Sequence, residues 1–418
     1  MARPRQIHSS GDTILLVLLL LSLNLGQCSG FLHHNIIPNP IKTKINSDRS
    51  SSIISMNLKP QKLLVVGGGI GGLSAAFDAK HNLRPEDEVT VVSDKELFQF
   101  TPSNPWVALR KRTAEEISLS LPKILPRHGV NFVCGAATHL DPKKQQLTLI
   151  DGQVLDYDYP IIATGPRLGF DEIPGARTSS SLQCICTTPK ASLTADAVDK
   201  LQEDPGPIVV GATQGASCFG PAYEFVFSLH KELWKRGGDK LVEQCPMTFV
   251  TSEPYIGHLG LKGAGDSKNI LKGLLTKKGI EYYTNSKIAE VATDSVSIDT
   301  IESAESDPTG KSKHVKLPTK LTMLIPPFRG LPVWKSVPHL TDPNGLILVD
   351  DYQQSPEYPT IFGVGACVSI PPVDNTIVPT GAPKTGVSIF ASLLLYFFII
   401  CFSLTRLNLF IYIMMYTF

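Results

Sequence analysis

A glycine run directly after a short apolar segment constrains this chain more than any other feature. Lys62-Leu63-Leu64-Val65-Val66 reads as a buried strand, and Gly67, Gly68, Gly69, Ile70, Gly71 and Gly72 follow it. Leu73, Ala75, Ala76 and Phe77 then start a helix, and Glu88 to Val92 supplies a second strand. Strand, glycine turn, helix, strand is the order that a dinucleotide-binding βαβ unit requires. In that unit Gly67 allows the tight turn, Gly69 lets a pyrophosphate approach the backbone, and Gly72 lets helix and strand pack closely. The orphan N–H groups of the helix start then face the phosphates. The acidic residue usual at the end of the second strand is displaced. The strand closes on Val91-Val92-Ser93-Asp94, so Asp94 stands one place late to reach a ribose and Ser93 offers a weaker bond. This favours neither phosphate state of a nicotinamide.

Two further strand-to-glycine junctions lie downstream. Tyr159-Pro160-Ile161-Ile162-Ala163-Thr164-Gly165 resembles the segment that closes a flavoprotein FAD domain, and Ile361-Phe362-Gly363-Val364-Gly365 is another of the kind. Between them, Pro207-Ile208-Val209-Val210-Gly211 looks like the first strand and turn of a second doubly wound domain. There the glycine rhythm fails: Ala212-Thr213-Gln214-Gly215-Ala216-Ser217-Cys218-Phe219-Gly220-Pro221 is poor material for a phosphate-cradling helix start. A helix through Tyr223, Phe225, Val226 and Leu229 follows. The reading is an α/β chain with two Rossmann-like folds, the second keeping its fold without a nicotinamide site. Such a flavoprotein needs another redox partner, and thiols and a quinone become candidates.

Charge and cysteine content narrow the classes further. Lys plus Arg total 39 against 38 for Asp plus Glu, which argues against a nucleic-acid partner. Eight cysteines are too sparse for a disulfide-stapled mini-domain, and no metal site is read. The ends differ from the middle. Arg3 and Arg5, an apolar run from Ile14 to Leu23, and Gln27-Cys28-Ser29-Gly30 form a signal-peptide pattern over 1–30, too short to read first as a membrane span. Residues 31–60 read as a linker or the second part of a presequence. This leader resembles the bipartite plastid presequence of algae with complex plastids, with Phe31 where that presequence carries a phenylalanine. Plastid entry is therefore favoured over mitochondrial or endomembrane routes. At the other end, 387–418 is an apolar tail, long enough to span a bilayer or else a gene-model artefact.

Among the cysteines, Cys218 falls at a strand-to-helix turn, where N–H groups would stabilise a thiolate. Cys184 and Cys186 would share one face if Gln183 to Thr187 were a strand, so position alone does not choose between them. Cys367 follows the third glycine junction, and its plainer reading is a buried apolar residue.

Several long segments together resemble the sulfide:quinone oxidoreductase family, most closely its bacterial-type branch. They are Phe98 to Trp106, which contains Asn104; Gly215 to Glu224; Thr251 to Gly260; and Pro379 to Gly386. The likeness runs nearly continuously from Lys62 to Gly386. It implies the disulfide-oxidoreductase-like flavoprotein fold, with FAD-binding fold over 61–175, second Rossmann-like domain over 176–345, and FAD return segment over 346–386. It implies oxidation of sulfide by FAD, with electrons passed to a quinone at a membrane surface. Two of the family's three redox cysteines match Cys186 and Cys218. The third lies beyond Gly386, where the likeness stops and where Cys401 matches nothing, so a flavin-side cysteine is not expected and the chain is expected to be a poor sulfide oxidase. Cys184 is offset from the motif and expected to be dispensable. Glu224 and His258 match residues that carry protons; the plain alternative for His258 is a surface or turn-capping histidine. Lys190 stands where the family often has a histidine. Phe328 is expected at the border of a quinone site. Lys384 is expected near the flavin pyrimidine; its alternative is a solvated lysine. With Gly67, Gly69, Gly72, Ser93, Asp94, Asn104, Thr164, Gly165 and Gly365 it completes the expected FAD contacts. A homo-oligomer stays open. So do two other functions: a flavoprotein moving electrons from NAD(P)H to a quinone, and a non-catalytic FAD-fold protein.

Overall fold

The computed structural model describes residues 59–301, 312–374 and 378–379. The leader over 1–30, most of the presequence segment 31–60, Lys384, Cys401 and the tail over 387–418 lie outside the described residues. Among the described residues, no helix is long and apolar enough to cross a membrane.

The first sheet is built on β1 (Lys62–Val66), β2 (Glu88–Ser93), β3 (Asn131–Cys134) and β4 (Tyr159–Ile162). Leu63 to Val66 are buried without alternation, which is how a strand covered on both faces reads. Helix α1 (Ile70–Asn82) lies against it through Gly72, Ala75, Ala76 and Ala79. That is a helical stripe of small side chains, so the backbone approaches the sheet closely. The last strand of the sheet arrives late in the chain: β10 (Phe362–Gly363) pairs in parallel with β4. The order is β10-β4-β1-β2-β3, all parallel.

The second sheet holds β5 (Leu182–Gln183), β6 (Ile208–Ala212), β7 (Met247–Thr251), β8 (Glu281–Tyr283) and β9 (Leu321–Ile325), in the order β5-β9-β6-β7-β8 and again all parallel. Helices α2 (Thr188–Lys200), α3 (Gly220–Gln244) and α4 (Ser267–Lys277) connect its strands. Each sheet carries a three-stranded antiparallel meander, over 137–156 between β3 and β4 and over 286–318 between β8 and β9. Two doubly wound folds were expected, and two are present.

One local expectation fails. The strand before the paired cysteines stops at Gln183, so Cys184 and Cys186 do not share a strand face. The chain turns there because Thr187 caps the start of α2, with Pro189 in its first turn.

Candidate active site

Parallel pairing brings several expected cofactor contacts to one edge. Gly67 ends β1, Ser93 and Asp94 end β2, Thr164 and Gly165 follow β4, and Gly365 follows β10, all at carboxyl ends of parallel strands. That is where open α/β sheets hold ligands. Gly67 has φ +125, and its N–H donates to the Val92 carbonyl at 2.7 Å. A Cβ on Gly67 would sit 2.3 Å from the Ala163 oxygen, and one on Gly72 only 1.8 Å from the Gly67 oxygen. Gly72 therefore packs first against the turn itself, rather than only between helix and strand. Gly69 differs: a Cβ there meets nothing within 4 Å. It is also the N-cap of α1, with no side-chain cap and no acidic residue in the first turn. The turn thus leaves its helix N–H groups open to an anion. Ser93 is buried beside Gly68, its Oγ 3.0 Å from where a Gly68 Cβ would lie, while Asp94 is exposed. Thr164 Oγ1 accepts the Trp334 indole N–H at 3.2 Å. These residues fit a dinucleotide.

Asn104 is fully buried. Its Oδ1 accepts the Thr188 hydroxyl at 3.0 Å, while its Nδ2 has no partner. Ser217 Oγ, just before Cys218, is the other buried polar side-chain atom without a partner among the described residues. A buried donor costs about 1–3 kcal/mol if it stays unpaired, so both atoms suit a bound polar group. The short helix Asn104–Val107 also holds Trp106, whose indole N–H donates to Glu224 Oε1 at 3.0 Å. One segment therefore touches both the helix after Cys186 and the helix after Cys218. Val107, Ala108 and Leu109 pack into the apolar core of the second sheet.

Cys186 and Cys218 are both half-buried, and the Cys218 charge helps raise the Cys186 thiol. The expected stabilisation of a Cys218 thiolate is not what this turn provides: burial pushes the Cys218 thiol up to about 11. Cys184 is buried, and the Cys186 N–H donates to its sulfur at 3.3 Å. Cys367 is buried; its thiol donates to the Ile162 and Val364 carbonyls at 3.3 and 3.1 Å, and burial pushes it up to about 11. It is packed as a small apolar side chain.

Glu224 is half-buried, and burial raises its carboxyl above the usual range, against the Trp106 N–H and the Lys111 charge. His258 is 1% exposed, so it is not a surface residue. Its Nδ1 accepts the Gly260 N–H at 3.2 Å, and its Nε2 lies 2.9 Å from Asp374 Oδ2. With Nδ1 accepting, the neutral ring carries its proton on Nε2 and donates to Asp374. The Thr251 to Gly260 segment also holds Glu253. Glu253 is fully buried and accepts from Tyr223 Oη at 2.8 Å, Thr251 Oγ1 at 2.7 Å and the Leu259 N–H at 2.6 Å. Tyr223 Oη in turn accepts the Gly257 N–H at 3.1 Å. One carboxylate thus ties the residue before Glu224 to the residue after His258. Lys190 is exposed, its Nζ 5.1 Å from the centre of the Phe170 ring. Phe328 is buried in the second core.

The chain matches a family model described as pyridine nucleotide-disulphide oxidoreductase over residues 61–216. It is 39% identical over 329 residues to a sulfide-quinone reductase of Aquifex aeolicus, across 78% of this chain and 73% of that protein. The chain belongs to the sulfide:quinone oxidoreductase family. The crystal structure of the sulfide:quinone oxidoreductase from Aquifex aeolicus superposes with a TM-score of 0.74 at 38% identity, covering 82% of this chain and 77% of that one. A mitochondrial sulfide:quinone oxidoreductase of Dictyostelium discoideum is 23% identical over 74% of this chain and 66% of its own length. Family membership accounts for the paired folds; it leaves the role of each residue above to chemistry.

Proposed function

We propose that this chain oxidises sulfide to sulfane sulfur or polysulfide and passes the electrons to a membrane quinone, with FAD held by the first glycine turn. The observation that carries the reading is that Asn104 and Trp106, on one short helix, tie together the helices that begin just after Cys186 and just after Cys218. Bound FAD would supply the two-electron acceptor between thiol and quinone. The chain's own residues do the rest. Hydrosulfide would attack a sulfur bridge between Cys218 and a second cysteine; the one the family carries downstream of Gly386 has no match in this sequence, so turnover here is expected to be poor. The S–S bond breaks, one sulfur keeps the new persulfide, and the other leaves as a thiolate. Cys186 receives sulfane sulfur as the product is built. Glu224, its carboxyl raised by burial, takes up the proton that sulfide loses. His258 hands protons toward Asp374. Gly67, Gly69 and Gly72 hold the pyrophosphate, Asn104 Nδ2 donates to the bound group, and Ser93, Asp94, Thr164, Gly165 and Gly365 complete the rim, with Lys384 at the pyrimidine end.

Against the alternative of an NAD(P)H-driven flavoprotein stands the second turn, which lacks the glycine rhythm of the first and carries the buried side chains Thr213, Ser217 and Phe219. The test is quinone reduction by sulfide in a detergent-solubilised preparation of confirmed flavin content. The chain as it stands should be bleached by sulfide only slowly and by NADH not at all; in a chain given the family's downstream segment, sulfide should bleach the flavin and Cys218→Ser should abolish it, and full bleaching in that variant removes the assignment. The leader supports plastid import and action at an organelle membrane. A fluorescent fusion of residues 1–60 that stays outside plastids would count against that route.

A further inference from the structure

Cys184 has no part in the thiol chemistry above, yet its sulfur is built into the same cluster. Its carbonyl accepts the Thr194 hydroxyl at 3.1 Å, which pins this point of the chain to α2. Its sulfur accepts the Cys186 N–H at 3.3 Å. The neighbouring Cys186 thiol, more than any other influence, moves the Cys184 thiol down. In return Cys184, and then burial, move the Cys186 thiol well up. Lys190, on the first turn of α2, adds positive charge that favours ionisation of both. Of the two thiols, Cys184 loses its proton first, and the thiolate is the nucleophile. Burial does not isolate it, because its target is the neighbouring sulfur.

We propose that Cys184 is the resolving thiol of Cys186, attacking the inner sulfur of a Cys186 persulfide to close a Cys184–Cys186 disulfide and expel the outer sulfur as sulfide. The proposal rests on the reading that Cys186 carries sulfane sulfur. The bond between the two persulfide sulfurs breaks, and its electron pair leaves with the outer sulfur. That atom is reduced to hydrosulfide and takes the proton Cys184 gives up. The two cysteine sulfurs end oxidised as the disulfide, so no outside oxidant is needed. The pair caps Cys186 when product is not carried away, and a dithiol reductant restores it. Cys184 is then not the dispensable neighbour that its offset from the family motif suggests.

Trypsin gives a direct readout. The peptide Thr178–Lys190 contains Cys184 and Cys186 and no other cysteine. The full-length, flavin-loaded chain is incubated with sodium tetrasulfide, quenched with iodoacetamide, digested and weighed. In the unsubstituted protein this peptide should appear bridged, lighter by two hydrogens and unalkylated, with sulfide released alongside. In Cys184→Ser and Cys184→Ala the bridge should vanish, and Cys186 should carry an alkylated persulfide. A persulfide on Cys186 beside an alkylated, free Cys184 in the unsubstituted protein would overturn the proposal, and that measurement does not depend on either variant folding. No sulfur on Cys186 in any of the three proteins removes the reading of Cys186 itself, and the proposal with it.

Discussion

In the first fold the chain leaves β1 through Gly67 and enters α1 at Ile70; in the second it leaves β6 at Ala212 and enters α3 only at Gly220. The four strands β4-β1-β2-β3 and β9-β6-β7-β8 follow one order with one inserted meander, and the sheets differ in their edge strand, which comes last in the chain in the first and first in the second, and in this turn. The first turn is short and bare at Gly69. The second is longer and folds back into its own space: Thr213 is 0% exposed, Ser217 4% and Phe219 2%. Gln214 is tied to the meander through both the Ile288 carbonyl and N–H. The scaffold is set by strand pairing and buried apolar faces, which both folds satisfy. Nucleotide binding is set by what the turn leaves empty, and there they diverge. A filled turn can instead present a thiol, as it does with Cys218.

The largest effect should come from separating packing from ligand approach within the first turn. In Gly72→Val the new Cβ lies 1.8 Å from a backbone oxygen that cannot move without breaking the turn. Overpacking of this kind costs ~3 kcal/mol or more, so the protein should melt much lower or fail to accumulate. Gly69→Val should fold, because the site is open, yet lose its flavin, because the side chain occupies the phosphate approach. The paired measurement is the thermal midpoint with the ratio of flavin to protein. Stoichiometric flavin in Gly69→Val would break the contrast at its root.

A smaller effect, in the second fold, separates its buried acid from its filled turn. Burial lifts the Glu253 carboxyl from 4.5 to about 7, against three hydrogen bonds that hold it down. Between those values the folded chain keeps a proton that the unfolded chain has released. Stability therefore falls as pH rises through that window, by on the order of 3 kcal/mol for this group alone. Among the described residues Tyr223 is the titratable group that faces it directly. Glu253→Gln should flatten that part of the stability profile, measured by urea denaturation at pH 5 and pH 7.5. An unchanged slope would mean that Glu253 is already ionised at the lower pH.

The first turn was legible because its function needs absent side chains, and glycine is visible in a sequence. The failed rhythm after Gly211 was legible for the same reason. What the sequence could not supply was which residues meet. Trp106 and Glu224 are far apart in the chain, as are Asn104 and Thr188, and only packing of the short helix at 104–107 against the second core joins them. Glu253, within the Thr251 to Gly260 segment, carries no sequence signal of burial, since a carboxylate reads as surface until its donors are known. The Cys184–Cys186 geometry is not legible in the sequence, because the end of β5 is decided by where α2 begins rather than by local propensity.

The smallest expected effect is the most informative about the second turn. Gly220 opens α3, and a Cβ there meets nothing within 4 Å. It mirrors Gly69 in being open space at a helix start. If openness alone made a phosphate site, Gly220→Ala would weaken nucleotide binding as a substitution at Gly69 does. If the turn is closed by Thr213, Ser217 and Phe219, the new methyl group enters solvent and touches no ligand. Gly220 is not among the glycines at positive φ, so alanine fits its backbone. Alanine also restricts the unfolded chain, a gain of about 0.5 kcal/mol. The expected result is a slightly raised thermal midpoint, full flavin content and unchanged bleaching by sulfide. A Gly220→Ala protein that loses affinity for NADH would place a working nucleotide site in the second fold, and the division of labour between the two turns would have to be redrawn.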